Sequence, residues 1–262
     1  SFITKQIYEE SNKILEELRS KNITPIFGVI LVGDRKDSEL YVRMKKKKCI
    51  EMGIEMILKT YGCDVDESIL IQTIEEMNKN NSINGIMVQL PLPKKYNSDK
   101  ILDTISPDKD VDGLTSATMG RLTINRDPLF APCTARGVIE LLKRNNITIK
   151  GANVVIIGKS YIVGTPLAVM FSNENATVSV THICTKDIKF YTRNADIIAV
   201  ATGVANLLDA DWISEGVVIV DIGISVIELK QPDGSIKKKT VGDVNFESVK
   251  DKASAITPVP GG

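Results

Sequence analysis

The sequence predicts an α/β protein made of two parallel-sheet domains, and three observations carry that reading. Short continuous apolar runs, each closed by glycine or proline, recur along the chain in the manner of buried strands. Segments with apolar residues at helical spacing lie between them, and such alternation implies parallel strands joined by crossover helices. The pattern breaks once, over residues 105–134, which are rich in Pro, Gly, Asp and Thr and only weakly periodic. The chain therefore reads as two domains, 1–132 and 133–262, with this stretch as the crossing between them.

Ile3, Ile7, Ile14 and Leu18 share one face, so the chain opens with an amphipathic helix. FGVILVG from Phe27 is a buried strand ended by Gly33 and Asp34. A helix follows from Asp37 or Ser38, both good N-caps, and runs to Gly53, a natural residue for a helix end. MILKT from Met56 is a strand, and residues 66–80 form a helix turning Ile69, Ile74 and Met77 inward. GIMVQL from Gly85 is a buried strand closed by Pro91 and Pro93. From Ala135 a helix restarts the alternation. Strands at VVIIG (Val154), ATVSVT (Ala176), DIIAVATG (Asp196) and GVVIVDIG (Gly216), with a helix from Gly164, make the second domain Rossmann-like.

Composition narrows the classes of function. Among 262 residues, 33 Lys and Arg balance 33 Asp and Glu, so no net charge draws the chain to nucleic acid or an anionic membrane. No apolar run approaches the roughly 20 residues of a membrane span, and the charged N-terminal segment does not read as a signal peptide. Four separated cysteines (Cys49, Cys63, Cys133, Cys184) and a single His182 argue against zinc. A cytoplasmic, reduced, metal-free protein is expected.

The strongest local signal is VVIIGKSYIVGTP. A strand runs into Gly158, and a helix begins near Gly164 with Pro166 in its first turn, an arrangement that offers backbone amides to a pyrophosphate. It departs from G-x-G-x-x-G, and an ordinary strand–turn–helix fits the same residues. About 20 residues past Gly158, where an NAD site places an acid on the ribose, the stretch VSVTHICT from Val178 holds no carboxylate and the next is Asp187, while Lys159 lies in the loop; both features favour NADP. Ser38, Tyr41 and Lys45 share a helix face, as a solvated stripe of the lysine run 45–48 would, and Lys48 shares it with Tyr41 equally well. Gln89 stands at a strand end, as a cap or as a ligand-facing residue. Asp110-Val-Asp-Gly suits a turn.

Together the segments ILVGDRKDSELYVRMKKKKCIEMGI, GIMVQLPLP, PDKDVDGLT, APCTARG, VVIIGKSYIVGTPLA, ADWISEGVVIVDIGI, VGDVNFE and ITPVPGG resemble, in order and over essentially the whole chain, the bifunctional methylenetetrahydrofolate dehydrogenase/methenyltetrahydrofolate cyclohydrolase family. The resemblance implies two domains around a cleft, folate on the first and NADP on the second. It implies NADP-dependent oxidation of 5,10-methylenetetrahydrofolate to the methenyl cation, then hydrolysis to 10-formyltetrahydrofolate. It makes Lys45 the catalytic lysine with Tyr41 alongside, Gln89 its partner, and Asp112 the pterin-binding acid. Ser38, Leu90, Pro91, Pro260 and Gly261 join Tyr41 and Asp112 in the implied substrate site. Thr134, Gly158, Lys159, Ser160, Gly164 and Ile224 form the implied cofactor site. A homodimer is implied as well, and a further helix beyond Gly262 that packs back on the first domain.

Two positions depart from the family pattern. Ala135 replaces the proline of P-C-T-P, and Ile183 stands where many members carry Ser or Arg near the 2′-phosphate. A dehydrogenase lacking the hydrolytic step, an NAD-linked form, and a nucleotide-binding module with a dead cleft are the competing readings. Retention of both Lys45 and Asp112 speaks against the last.

Overall fold

A computed structural model describes residues 2–126, 129–230 and 234–261. The chain divides into two compact units, Phe2–Cys133 and Thr134–Gly262, each with its own core.

The first unit is a parallel sheet in the order β2-β1-β3, made of β1 (Ile26–Val32), β2 (Glu55–Tyr61) and β3 (Gly85–Val88). α1 (Phe2–Ser20) precedes it, α2 (Lys36–Met52) connects β1 to β2, and α3 (Glu67–Lys79) connects β2 to β3. β1 is buried from Gly28 onward and β3 throughout, as expected for strands covered on both faces.

Each of two predicted faces has one member displaced to its neighbour. In α1 it is Leu15 that is buried while Ile14 is exposed, because the inward stripe steps through Ile7, Ser11, Leu15 and Leu18. In α3, Leu70 is fully buried whereas Ile69 is 45% exposed. Ile74 and Met77 do face inward. α2 begins at Lys36, so Asp37 and Ser38 lie inside its first turn and cap nothing; Ser38 is buried, and the Asp37 carboxylate accepts the Ser38 amide at 2.9 Å.

The weakly periodic stretch after β3 is no simple crossing. α4 (Ser98–Asp103) leads into it, and it carries α5 (Ser116–Thr123), capped by Thr115, whose hydroxyl oxygen accepts the Thr118 amide at 3.2 Å. Ile101, Leu102 and Ile105 join the first core. Asp110 pairs with Ile86 beside β3, which lays the turn that follows against the end of the sheet.

In the second unit α6 (Cys133–Arg144) leads into a five-stranded parallel sheet in the order β10-β7-β6-β4-β5. Its strands are β4 (Asn153–Ile157), β5 (Thr177–Thr181), β6 (Ile197–Val200), β7 (Val218–Asp221) and the short β10 (Ala255–Ile256). α7 (Gly164–Asn173) and α8 (Ile188–Thr192) are its crossovers from β4 to β5 and from β5 to β6. An antiparallel hairpin of β8 (Ser225–Lys230) and β9 (Ile236–Val241), which the sequence pattern did not reveal, stands apart from this sheet. α9 (Phe246–Val249) follows it. No helix among the described residues is long and apolar enough to cross a membrane.

Candidate active site

α2 and the end of β3 bring Lys45, Met87 and Gln89 together in the first unit. Along α2, Ser38, Tyr41 and Lys45 line one side. Ser38 is buried, Tyr41 exposed and Lys45 half-buried. Met87 and Gln89, two residues apart, project to the same side of the β3 strand. Lys45 Nζ donates to Gln89 Oε1 at 3.0 Å and to Met87 Sδ at 3.2 Å. Gln89 Nε2 donates to the Leu90 carbonyl at 2.7 Å, which turns the amide oxygen toward the lysine. Leu90 is half-buried, and Pro91 is exposed after a cis Leu90–Pro91 bond.

Lys48, the competing lysine, is engaged elsewhere. Its ammonium pairs with Glu51 at 2.5 Å and lies 4.3 Å from the centre of the Tyr8 ring. Burial pushes the Lys45 amine below the ordinary lysine range, while the charges of Asp112 and Cys133 pull it back. The Asp112 carboxyl is pushed up, first by its own burial and further by Asp110; Lys45 and a hydrogen bond from Cys133 oppose this. Both groups thus resist ionising, each for want of water, and each eases the other's charge.

The two acids of the Asp110-Val-Asp-Gly turn hold different jobs. Asp110 is buried, and its Oδ1 accepts the amides of Gly113 at 3.0 Å and Leu114 at 3.2 Å. Its Oδ2 accepts the Thr115 amide at 2.9 Å and the Thr118 hydroxyl at 2.7 Å. Asp110 makes the turn. Gly113, at φ 72°, has Ala131 and Pro132 backbone where a side chain would stand, so no other residue fits. Asp112 is carried forward on this turn beside Lys45 and Cys133. Met87 and Cys133 were not singled out by sequence reasoning. The spacing of Met87 from Gln89 would have found it, but only structure joins Cys133, whose thiol donates to the Val111 carbonyl at 3.3 Å, to Asp112.

In the second unit, Gly158 ends β4 at φ 117°, and a Cβ there would collide with the Ala201 carbonyl. Gly164 opens α7, and a Cβ on it would collide with the Gly158 carbonyl. Two bare backbones therefore close a tight turn ahead of a helix N-terminus. Ser160 Oγ accepts the Val163 amide at 3.2 Å, and Lys159 and Ser160 are exposed. After β5 the chain turns through His182–Thr185, with Ile183 99% exposed and no acid present. Ile224, beyond β7, is exposed, as is Thr134 at the start of α6. Ala135 is fully buried. Pro260 and Gly261 lie after β10 in this unit.

The family model for the tetrahydrofolate dehydrogenase/cyclohydrolase catalytic domain matches residues 1–112, and that for the NAD(P)-binding domain matches residues 132–262. The chain is 46% identical to the bifunctional protein FolD of Aquifex aeolicus over 99% of its own length and 87% of that protein's. It is 43% identical to the same-named protein of Bacillus subtilis, over 97% and 87%. The crystal structure of the bifunctional methylenetetrahydrofolate dehydrogenase/cyclohydrolase from Campylobacter jejuni superposes with a TM-score of 0.91 at 45% identity, covering 98% of this chain and 89% of that one. That of the Trypanosoma brucei enzyme, complexed with NADP cofactor and inhibitor, gives 0.90 at 35% identity, covering 98% and 88%. With both halves matched and relatives this similar along nearly its whole length, the chain belongs to the tetrahydrofolate dehydrogenase/cyclohydrolase family of bifunctional enzymes.

Proposed function

We propose that the chain oxidises 5,10-methylenetetrahydrofolate with NADP and hydrolyses the methenyl product to 10-formyltetrahydrofolate, with folate bound by the unit 1–132 and NADP by the unit 133–262. One observation carries the assignment of Lys45: its amine is held by two neutral acceptors, Gln89 Oε1 and Met87 Sδ, in a half-buried setting that lowers its pKa. A lysine so placed can exist as a free amine and take a proton.

In the hydrolytic step, water attacks the methenyl carbon as its proton passes to Lys45 Nζ. The bond to one ring nitrogen then breaks as the C=O forms: that nitrogen receives the proton held by Lys45, and the hydroxyl's remaining proton is released to solvent, which accounts for the lost positive charge. Gln89 aims the amine without restoring its charge. Asp112 accepts the paired N–H donors of the pterin's 2-amino-pyrimidinone edge, a bidentate contact open to it because Asp110 already satisfies the turn. Tyr41, exposed on the Lys45 side of α2, lies along the folate ring system. Ser38, Leu90 and Pro91 complete the proposed substrate site on this unit; Pro260 and Gly261, on the other unit, are proposed as substrate-binding on the family resemblance alone.

Bound NADP would supply the hydride acceptor; its phosphates suit the turn of Gly158, Lys159 and Ser160 at the start of α7, where side-chain-free backbone leaves room for an anion. Thr134, Gly164 and Ile224 complete that proposed set. Hydride loss needs no protein base, since the flanking nitrogens stabilise the cation, so orientation is the protein's contribution. Lys159 and the lack of an acid in the turn His182–Thr185 after β5 favour the 2′-phosphate over a free ribose. None of the four cysteines is in a disulfide, which suits a reduced cytoplasm, and a homodimer is part of the proposal.

The test follows NADPH formation from methylenetetrahydrofolate, then decay of the methenyl absorbance against the buffer rate. NADPH formation without enzymatic decay would leave a dehydrogenase alone.

A further inference from the structure

We infer that Asp221 and Asp243 are positioning residues for the dinucleotide-facing edge of the second sheet, tying three backbone segments there into one frame. The inference rests on the proposed placement of NADP on this unit.

Asp221 ends β7. Its Oδ1 accepts the amides of Asp243 at 2.9 Å and Gly223 at 3.1 Å, and its Oδ2 accepts that of Val244 at 3.0 Å. Asp243 is fully buried. Its Oδ2 accepts the Thr202 amide at 2.6 Å, the Gly203 amide at 2.9 Å and the Thr202 hydroxyl at 2.9 Å. The two acids are interlocked through glycines. A Cβ on Gly223 would run into the Asp243 carboxyl, and one on Gly242 into the Asp221 carboxyl. Each acid occupies the side-chain space of a glycine next to, or near, the other.

The segments so tied follow β6 (Thr202–Gly203), follow β7 (Gly223) and precede α9 (Gly242–Val244). The first two lie at the carboxyl edge of the parallel sheet, where ligands bind in open α/β folds. Thr202 follows Ala201, the carbonyl against which Gly158 packs, so holding Thr202 holds the wall behind the phosphate turn. Holding Gly223 sets the exposed Ile224.

Stability alone does not account for this choice of residues. Asp243 Oδ1 is buried and has no hydrogen-bond partner among the described residues. Burial raises the Asp221 pKa, and the Asp243 charge adds to it. Apolar packing would join these loops without an orphaned oxygen and without like charges in proximity. What two carboxylates add is direction: six donors are each pinned to a set position.

The test compares wild type with Asp243→Ala, Asp243→Asn and Gly223→Ala. NADP affinity is measured by calorimetry without folate, methenyltetrahydrofolate hydrolysis without NADP, and thermal unfolding on each. Asp243→Ala is expected to weaken NADP by about tenfold or more while hydrolysis is unchanged, since misplaced binding groups lose affinity steeply. Asp243→Asn, whose amide oxygen still accepts from Thr202 and Gly203, restores most of that affinity. Should Asp243→Ala not fold, Gly223→Ala, which wedges against the carboxyl, must show the same selective loss. A lowered melting temperature with NADP affinity intact, loss of both properties in proportion, or an Asn variant no better than Ala overturns the inference. Wild type that fails to bind NADP overturns it together with the cofactor reading; wild type that binds beside unaffected variants overturns it alone.

Discussion

Gln89 gives its amide nitrogen to the Leu90 carbonyl at 2.7 Å and its amide oxygen to Lys45 Nζ at 3.0 Å, so the orientation of the amide is decided before any substrate arrives. A neutral acceptor at this point holds the amine while favouring its protonated form far less than a carboxylate would.

Gln89→Glu is the sharpest test of that relationship. A carboxylate at this distance stabilises the ammonium and raises the Lys45 pKa. Hydrolysis needs the free amine, so its rate climbs with pH through that pKa, and the climb moves to higher pH in the variant. At neutral pH hydrolysis falls roughly 10- to 1000-fold, and raising the pH recovers part of it. A rate–pH profile settles the matter; an unmoved profile sinks the role of Gln89.

Lys45→Met keeps side-chain length and removes the base. Hydrolysis is expected to fall to the buffer rate, while NADPH formation survives in part. Should hydrolysis persist, Lys48 is the next residue to replace, even though Glu51 and Tyr8 now hold it.

Asp110→Asn and Asp112→Asn separate frame from ligand. At position 110 an amide nitrogen would confront buried donors that a carboxylate satisfies, costing about 2–4 kcal/mol of stability. Asp112 makes none of those turn bonds, so its variant should melt close to wild type. It should lose roughly 2–4 kcal/mol of folate binding, on the order of 30- to 1000-fold. NADP binding should be unchanged in Asp112→Asn. Calorimetric unfolding and folate titration of both variants check the pair; equal folate affinity in Asp112→Asn and wild type removes the pterin role.

Lys159→Ala should weaken NADP much more than NAD. The exposed ammonium acts through a screened field, so the difference shrinks as salt is added. Titrations with both cofactors at two ionic strengths read this directly, and equal losses would show that Lys159 only shapes the loop.

Strands were the most legible part of the molecule, because a strand buried on both faces leaves an unbroken apolar run. Helix faces were less so. Where apolar residues stand side by side, as Ile14 with Leu15 or Ile69 with Leu70, periodicity leaves the phase open and packing chooses. α5 escaped notice because its eight residues include only two large apolar side chains. The β8–β9 hairpin escaped because three consecutive lysines on β9 mask alternation. At the site, Lys45, Tyr41, Gln89 and Asp112 came from motifs. Local spacing could not tell Asp110 from Asp112, nor Lys45 from Lys48: Asp110 is marked by bonds to Gly113, Leu114, Thr115 and Thr118 that only the folded turn makes, and Lys45 by Met87 and Gln89 from the end of β3.

The two acids of the Asp110-Val-Asp-Gly turn also bear on how such a protein can change over generations. The residue that keeps the loop folded and the residue offered to the ligand are separate, two positions apart, so they can be inherited as separate traits. On the proposed reading, a change at 112 would leave the turn's own bonds in place and alter only what the loop offers to a ligand. Drift at 110 is removed early, because it reaches selection through misfolding before it can touch chemistry.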